Sequence, residues 1–328
     1  MTPKLSLQNR RWLLPVAALL LILAANLVLS PGFFALRIVD GHLFGSTVDI
    51  VHRAAPLGFV ALGMAVVIAT GGIDLSVGAI IAICGAVAAV LLRAGDLSPT
   101  AILLIVLMVG VACGLWNGFL VAFLEIQPIV ATLILMVAGR GIAQMITDGQ
   151  IVTFHSAVMD FLGSGYLLGI PSRVWLLAVF AVLAGLLLRR TALGLFLEAV
   201  GGNAAASRLA GIEARGVRLA AYAFSGLCSA LAGIILTADI RGADANNAGL
   251  WLELDAILAV VIGGASLIGG RFSLGLTLIG ALVIQSLTTS ILVSGLPPQY
   301  TLVVKAVVIL LVLFLQSPRL GLLGFARR

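Results

Sequence analysis

Stretches of apolar residues long enough for a membrane recur from one end of the chain to the other. They fall near Trp12–Leu29, Ile50–Thr70, Leu75–Leu92, Ala101–Phe123, Ile129–Ile146, Val174–Leu188, Leu219–Ala238, Ala256–Ile268, Phe272–Val293 and Tyr300–Gln316. Crossing a bilayer as helix takes ~20 residues, so 328 residues accommodate about ten spans and no large domain outside lipid. Composition agrees: 62% of residues are hydrophobic and 10% charged, against about a quarter charged in soluble domains. The expected fold is an all-α polytopic membrane protein, one transmembrane domain over 1–328. The stretch 56–92 is interrupted only by Thr70–Ser76. It reads as two spans, or as one span followed by a broken, re-entrant piece. The first run exceeds the ~7–15 residues of a signal-peptide core, so it is expected to stay as a span.

Charge sets the expected orientation. The basic connection Arg189–Arg218 holds Arg189, Arg190, Arg208, Arg215 and Arg218 against Glu198 and Glu213, which places it in the cytoplasm by the positive-inside rule. The tails agree, with Lys4, Arg10 and Arg11 at one end and Arg319, Arg327 and Arg328 at the other. Both termini inside require an even number of crossings. The connection Asp239–Asp255 is acidic and belongs outside. Its Asp239, Arg241, Asp244, Asn246, Asn247, Glu253 and Asp255 are candidates for a periplasmic gate or for docking a binding protein. The net charge of +6 is carried by Arg at the ends of apolar runs, a pattern of membrane orientation and not of nucleic-acid binding.

Several chemistries are missing. Lys4 and Lys305 are the lysines, and neither follows a Gly-rich loop, so no phosphate-binding loop of the Walker type is present. His42, His52 and His155 are scattered, Cys84, Cys113 and Cys228 lie inside apolar runs, and no metal-ligand spacing emerges. No catalytic residue, metal site or cofactor is expected in this chain. If ATP drives it, ATP and Mg belong to another subunit. The 38 glycines permit close helix packing and helix breaks. Ala65–Gly78 and Ala259–Gly275 echo one another, as a duplicated architecture would.

In Arg189–Arg218, Asn203 is a plausible N-cap, Ala204–Ala210 is helix-forming, and Gly211 is a C-cap candidate. Such a segment reads as a small docking helix or as an ordinary amphipathic surface loop. Glu198-Ala199, Gly201-Gly202 and Gly211-Ile212 resemble the cytoplasmic loop by which ABC-importer permeases contact their ATPase. Thr70–Gly78 and Glu253–Gly270 resemble two signatures of the ribose/xylose/autoinducer class of sugar permeases, and the likeness covers essentially the whole chain. Within that class, Asp40–Ser46, Ile126–Gly141 and Asp239–Trp251 are most similar to galactofuranose permeases. The resemblance implies a ten-helix permease of the bacterial inner membrane. Its implied partners are a second permease, related or identical, an ATPase with tandem nucleotide-binding domains, and a periplasmic sugar-binding protein. The substrate would be galactofuranose or another pentose or hexose. The ATPase-coupling residues would be Glu198, Ala199, Gly201, Gly202, Asn203, Ala210 and Gly211.

Polar residues at membrane depth are the candidates for a sugar path. A carboxylate there costs about 2.5–3.5 kcal/mol on insertion scales, so Asp74 either caps the next helix or touches and gates the sugar. Thr132, Met136, Arg140 and Gln144 share a helix face. Arg140 either lines the path or sits at the outer end and pairs with Asp148 or Asp160. Gln285, Thr288 and Thr289 form a second stripe, and Asn117 and Gln127 complete the set. Lys305 is expected to snorkel outward. A proton-coupled transporter using Asp74 or Glu125 is the rival reading.

Overall fold

The computed structural model describes residues 12–29, 32–39 and 41–295, together with Tyr300, residues 302–307 and Leu310. Twelve helices organise these residues: α1 (Leu13–Leu29), α2 (Ser46–Ala69), α3 (Val77–Ala94), α4 (Pro99–Ala122), α5 (Pro128–Ile146), α6 (Ala157–Ser164), α7 (Ser172–Arg190), α8 (Leu193–Gly202), α9 (Ala204–Leu209), α10 (Ala214–Asp239), α11 (Leu252–Ile262) and α12 (Leu274–Val293). Seven of them, α2, α3, α4, α5, α7, α10 and α12, are long and apolar enough to cross a membrane. Local chemistry sets several ends. Ser98 accepts the Ala101 N–H at 3.3 Å ahead of Pro99. Gly95, at φ +77°, closes α3, a left-handed conformation that costs Gly little.

α2 runs through the middle of the molecule, with every residue from Ala54 to Ala69 buried. It packs against α10, α11 and α12, while α10 also lies along α3 and α4. Along part of the α4–α10 contact the backbones approach with little side chain between them. Gly110, Gly114 and Gly118 recur every four residues on α4, and a Cβ at Gly114 would overlap the Tyr222 carbonyl oxygen on α10. A Cβ at Gly226 on α10 would in turn overlap the Gly110 carbonyl oxygen. Small residues at this spacing let two helix backbones touch, which is how helices associate where lipid removes the hydrophobic drive. The outward faces of α4, α5 and α7 carry exposed apolar side chains such as Met108, Val137 and Leu183.

Two expectations change. The run Ala256–Ile268 is helical only in its first part: α11 ends at Ile262, and the chain turns through Gly264, Gly269 and Gly270, all with positive φ. Apolar character persists there, but successive left-handed glycines cannot continue a helix. The basic connection also holds a helix that periodicity did not single out, α8, ahead of the short α9. Much of the run Tyr300–Gln316, both charged tails and Asp40 lie outside the described residues.

Candidate functional site

Between α2 and α3 the chain leaves helical geometry for Thr70–Ser76, and Asp74 sits there fully buried. Its Oδ1 accepts the Ser76 N–H at 3.1 Å and the Ser76 hydroxyl at 2.6 Å, and its Oδ2 accepts the Ser225 hydroxyl from α10 at 2.8 Å. Asn117 on α4 donates to Ser76 Oγ at 2.7 Å. The carboxylate therefore holds the start of α3 and also ties the break to α10. A buried anion without a cation persists only when several donors satisfy it. The Asn117 Oδ1 and the Tyr222 hydroxyl are buried beside this cluster without a hydrogen-bond partner among the described residues. Tyr222 and Ser225 escaped the sequence reading; small hydroxyls at Ser225 and Ser229, one helical turn apart on α10, were the available signal.

The break also meets the basic connection. A Cβ at Gly201, near the end of α8, would overlap the Ala69 carbonyl oxygen and lie 2.7 Å from Gly270 N. Gly270 N–H donates to that same Ala69 oxygen at 2.9 Å. A Cβ at Gly269 would lie 2.8 Å from Gly201 O and 2.9 Å from Gly71 N. Three glycine-bearing segments far apart in sequence thus converge backbone to backbone. Next to them α9 begins at Asn203, whose side chain accepts the Ala206 N–H at 2.9 Å, and Gly211 at φ +83° turns the chain into α10. Glu198 and Ala199 lie within α8, while Gly202 and Ala210 flank α9 in the open. Leu209 is 92% exposed at the tip.

At the opposite end, residues 240–251 fold back against the bundle. Gly242–Ala243 pairs antiparallel with Val152–Thr153. A Cβ at Gly249 would lie 2.9 Å from the Gly78 carbonyl oxygen, so the segment reaches the first turn of α3. Arg140 does not pair with Asp148 or Asp160; it donates to the carbonyls of Ala245 and Ala248 at 3.1 and 2.6 Å. Gln144 donates to Asn246 Oδ1 at 2.7 Å, and Thr132 is buried, bonding within α5 and to the Ile73 carbonyl at 3.3 Å. The polar stripe of α5 is thus engaged by the break at one end and by the outer segment at the other. Arg241 pairs with Asp160 at 2.7 Å, and the exposed Asp239 pairs with the buried Arg173. Glu253 is buried near Gly78, its Oε2 without a hydrogen-bond partner among the described residues. Lys305 does not snorkel: it pairs with Asp255 at 2.8 Å, both side chains mostly buried. Among the described residues, the side-chain hydrogen bonds of Gln285 and Thr288 stay within α12. Gln127 stands exposed at the start of α5.

Asp244 organises the turn of this outer segment. Donation by the Asn247 side chain at 2.7 Å, helped by the Asn246 and Asn247 amides, holds its carboxyl below the ordinary value, against a smaller effect of desolvation. A depressed carboxyl stabilises the fold above its ordinary pKa, and that contribution disappears as pH falls through the lower, folded value. Asp244→Ala is expected to speed hydrogen exchange of the 246–247 amides by roughly fivefold, the effect of losing ~1 kcal/mol of hydrogen bonding. Unchanged exchange would remove Asp244 as the organiser of the turn.

Residues 46–313 match the profile of a family described as branched-chain amino acid transport system / permease component. The chain belongs to this family. The galactofuranose transporter permease protein of Escherichia coli (strain K12) is 56% identical over 318 residues, 97% of this chain and 93% of that protein. The fructose import permease protein of Bifidobacterium longum (strain NCC 2705) is 39% identical over 324 residues, 97% of this chain and 90% of its own length. The ribose import permease protein of Escherichia coli (strain K12) is 37% identical over 318 residues, 95% and 96% of the two chains. No solved structure gives a significant match. The chain is a multi-pass membrane permease, a transport subunit and not an enzyme.

Proposed function

We propose that this chain is the permease subunit of an ATP-driven monosaccharide importer of the ribose/xylose/autoinducer class, and that its sugar is galactofuranose. The observation that carries the reading is 56% identity to a galactofuranose transporter permease along nearly the full length of both chains. The family description names amino acids, but the relatives at 37–56% identity are named for sugars. In this reading the chain crosses the bacterial inner membrane ten times with both termini in the cytoplasm. It pairs with a second permease, receives sugar from a periplasmic binding protein through residues 239–255, and meets a tandem ATPase through residues 189–218. ATP and Mg reside on that ATPase, and this chain holds no cofactor.

The residues fit such a division of labour. The α8–α9 lever abuts both helix breaks through Gly201, so motion imposed on it reaches the Asp74 cluster without a side-chain relay. Asn117, Tyr222 and Glu253 have unpartnered polar atoms near that cluster and the outer segment. They suit passing hydrogen bonds to sugar hydroxyls better than tight capture, which belongs to the binding protein.

Reconstitution decides between this and the proton-driven rival. Vesicles holding the chain, its second permease and the ATPase should accumulate galactofuranose only with ATP and binding protein present. Accumulation by the chain alone, abolished by a protonophore, would overturn the proposal.

A further inference from the structure

A cavity of about 330 Å³ opens beside the glycine junction, lined by Thr70, Gly71, Glu125, Gln127, Arg208 and Arg218 among others. Its walls come from four places: the α2–α3 break, the α4–α5 turn, α9 and the start of α10. Two arginines, Arg208 and Arg218, line it. Among the described residues, the guanidiniums of Arg208 and Arg218 have no ion-pair or hydrogen-bond partner, whereas Glu125, the acidic group in the lining, faces Arg215 at 3.5 Å. The cavity is therefore net basic, and its two arginines stand on different elements. Converging arginine forks suit the oxygens of a phosphate monoester. The remaining lining is neutral, part apolar (Val121, Ile126 and Pro128) and part polar, with Thr70, the two glycines of the break and Gln127, whose side chain makes no capping bond to α5. At roughly 300 Å³, such a volume is at the small end of ligand sites, the size for one sugar ring and its phosphate.

We infer that this cavity binds a phosphorylated monosaccharide, and that the bound anion clamps α9 against the α2–α3 break. The clamp part rests on the proposed role of α8–α9 as the ATPase lever; the binding part does not. A sugar that has entered the cell is neutral, and a kinase-type reaction on its hydroxyl yields the chemistry the two arginines select. Occupancy then reports accumulated product to the permease and slows further entry. An anionic lipid headgroup offers the same phosphate ester, so the source is part of the test.

The full-length chain in phosphatidylcholine nanodiscs is titrated calorimetrically with galactose 6-phosphate, inorganic phosphate and galactose. The expected order is galactose 6-phosphate tightest, phosphate weaker and galactose silent. Arg208→Gln and Arg218→Gln should each weaken galactose 6-phosphate by about tenfold, and the double variant should abolish it. Arg→Lys variants, checked for monodispersity, should fall between. Equal affinity for galactose and its phosphate, or binding that survives the double variant, would overturn the site. Adding phosphatidylglycerol separates the sources: undiminished affinity supports the soluble ligand, and arginine-dependent competition assigns the site to the lipid headgroup and overturns the sugar-phosphate assignment. In the complete transporter, galactose 6-phosphate on the ATPase side should slow uptake severalfold; an unchanged rate with binding intact overturns the clamp. A separate pull-down of the ATPase tests the lever itself, and its failure leaves the titration result standing.

Discussion

Gly201→Leu is expected to abolish sugar uptake while the chain still reaches the membrane in normal amount. Even a methyl group at this position overlaps the Ala69 carbonyl oxygen and crowds Gly270 N, forcing apart the Gly270-to-Ala69 hydrogen bond that joins the two helix breaks. Overpacking costs ~1–3 kcal/mol. Placed on one end-state of a transport cycle, that energy corresponds to roughly 5- to 150-fold in rate, and leucine exceeds alanine. Gly185→Ala on α7 is the control, because its Cβ would meet nothing within 4 Å. Transport assayed beside membrane abundance separates coupling from folding. Wild-type flux in Gly201→Leu would remove the junction from the mechanism.

Asp74→Ala gives the largest loss of stability expected for a single substitution. It strips the acceptor from two hydroxyls and one amide, all buried. Each donor left unsatisfied costs ~1–3 kcal/mol, so thermal unfolding in detergent should drop steeply and expression with it. Asp74→Asn retains the shape and one acceptor oxygen, and should melt between the two. The order separates roles: a proton carrier loses all transport as Asn, whereas a structural tie keeps part of it. If Asp74→Ala melts like wild type, the buried cluster is not what holds the break.

Legibility in the sequence followed the range of the interactions. Spans were readable because lipid imposes apolar length locally. The break at 70–76 and the α9 helix with its Asn203 cap were readable because glycines, caps and helix-formers act within a few residues. What depended on distant neighbours was hidden. The partners of Arg140 lie more than a hundred positions away, and Lys305 meets Asp255 across 50. Nothing local at Ser225 announces that it completes a carboxylate site built around Asp74. The stretch after Ile262 misled because hydropathy reports solvent, while the signs of its φ angles decide its path.

The glycine-lined part of the seam between α4 and α10 has a mechanical corollary. Helices separated by a layer of rotamers can slide as those rotamers hop, but backbones in direct contact have no such lubricant. α9 leads through Gly211 into α10, so a displacement of that short helix is expected to carry α10 and α4 together, with the unwound Thr70–Ser76 and Gly263–Ser273 corners as the places that bend.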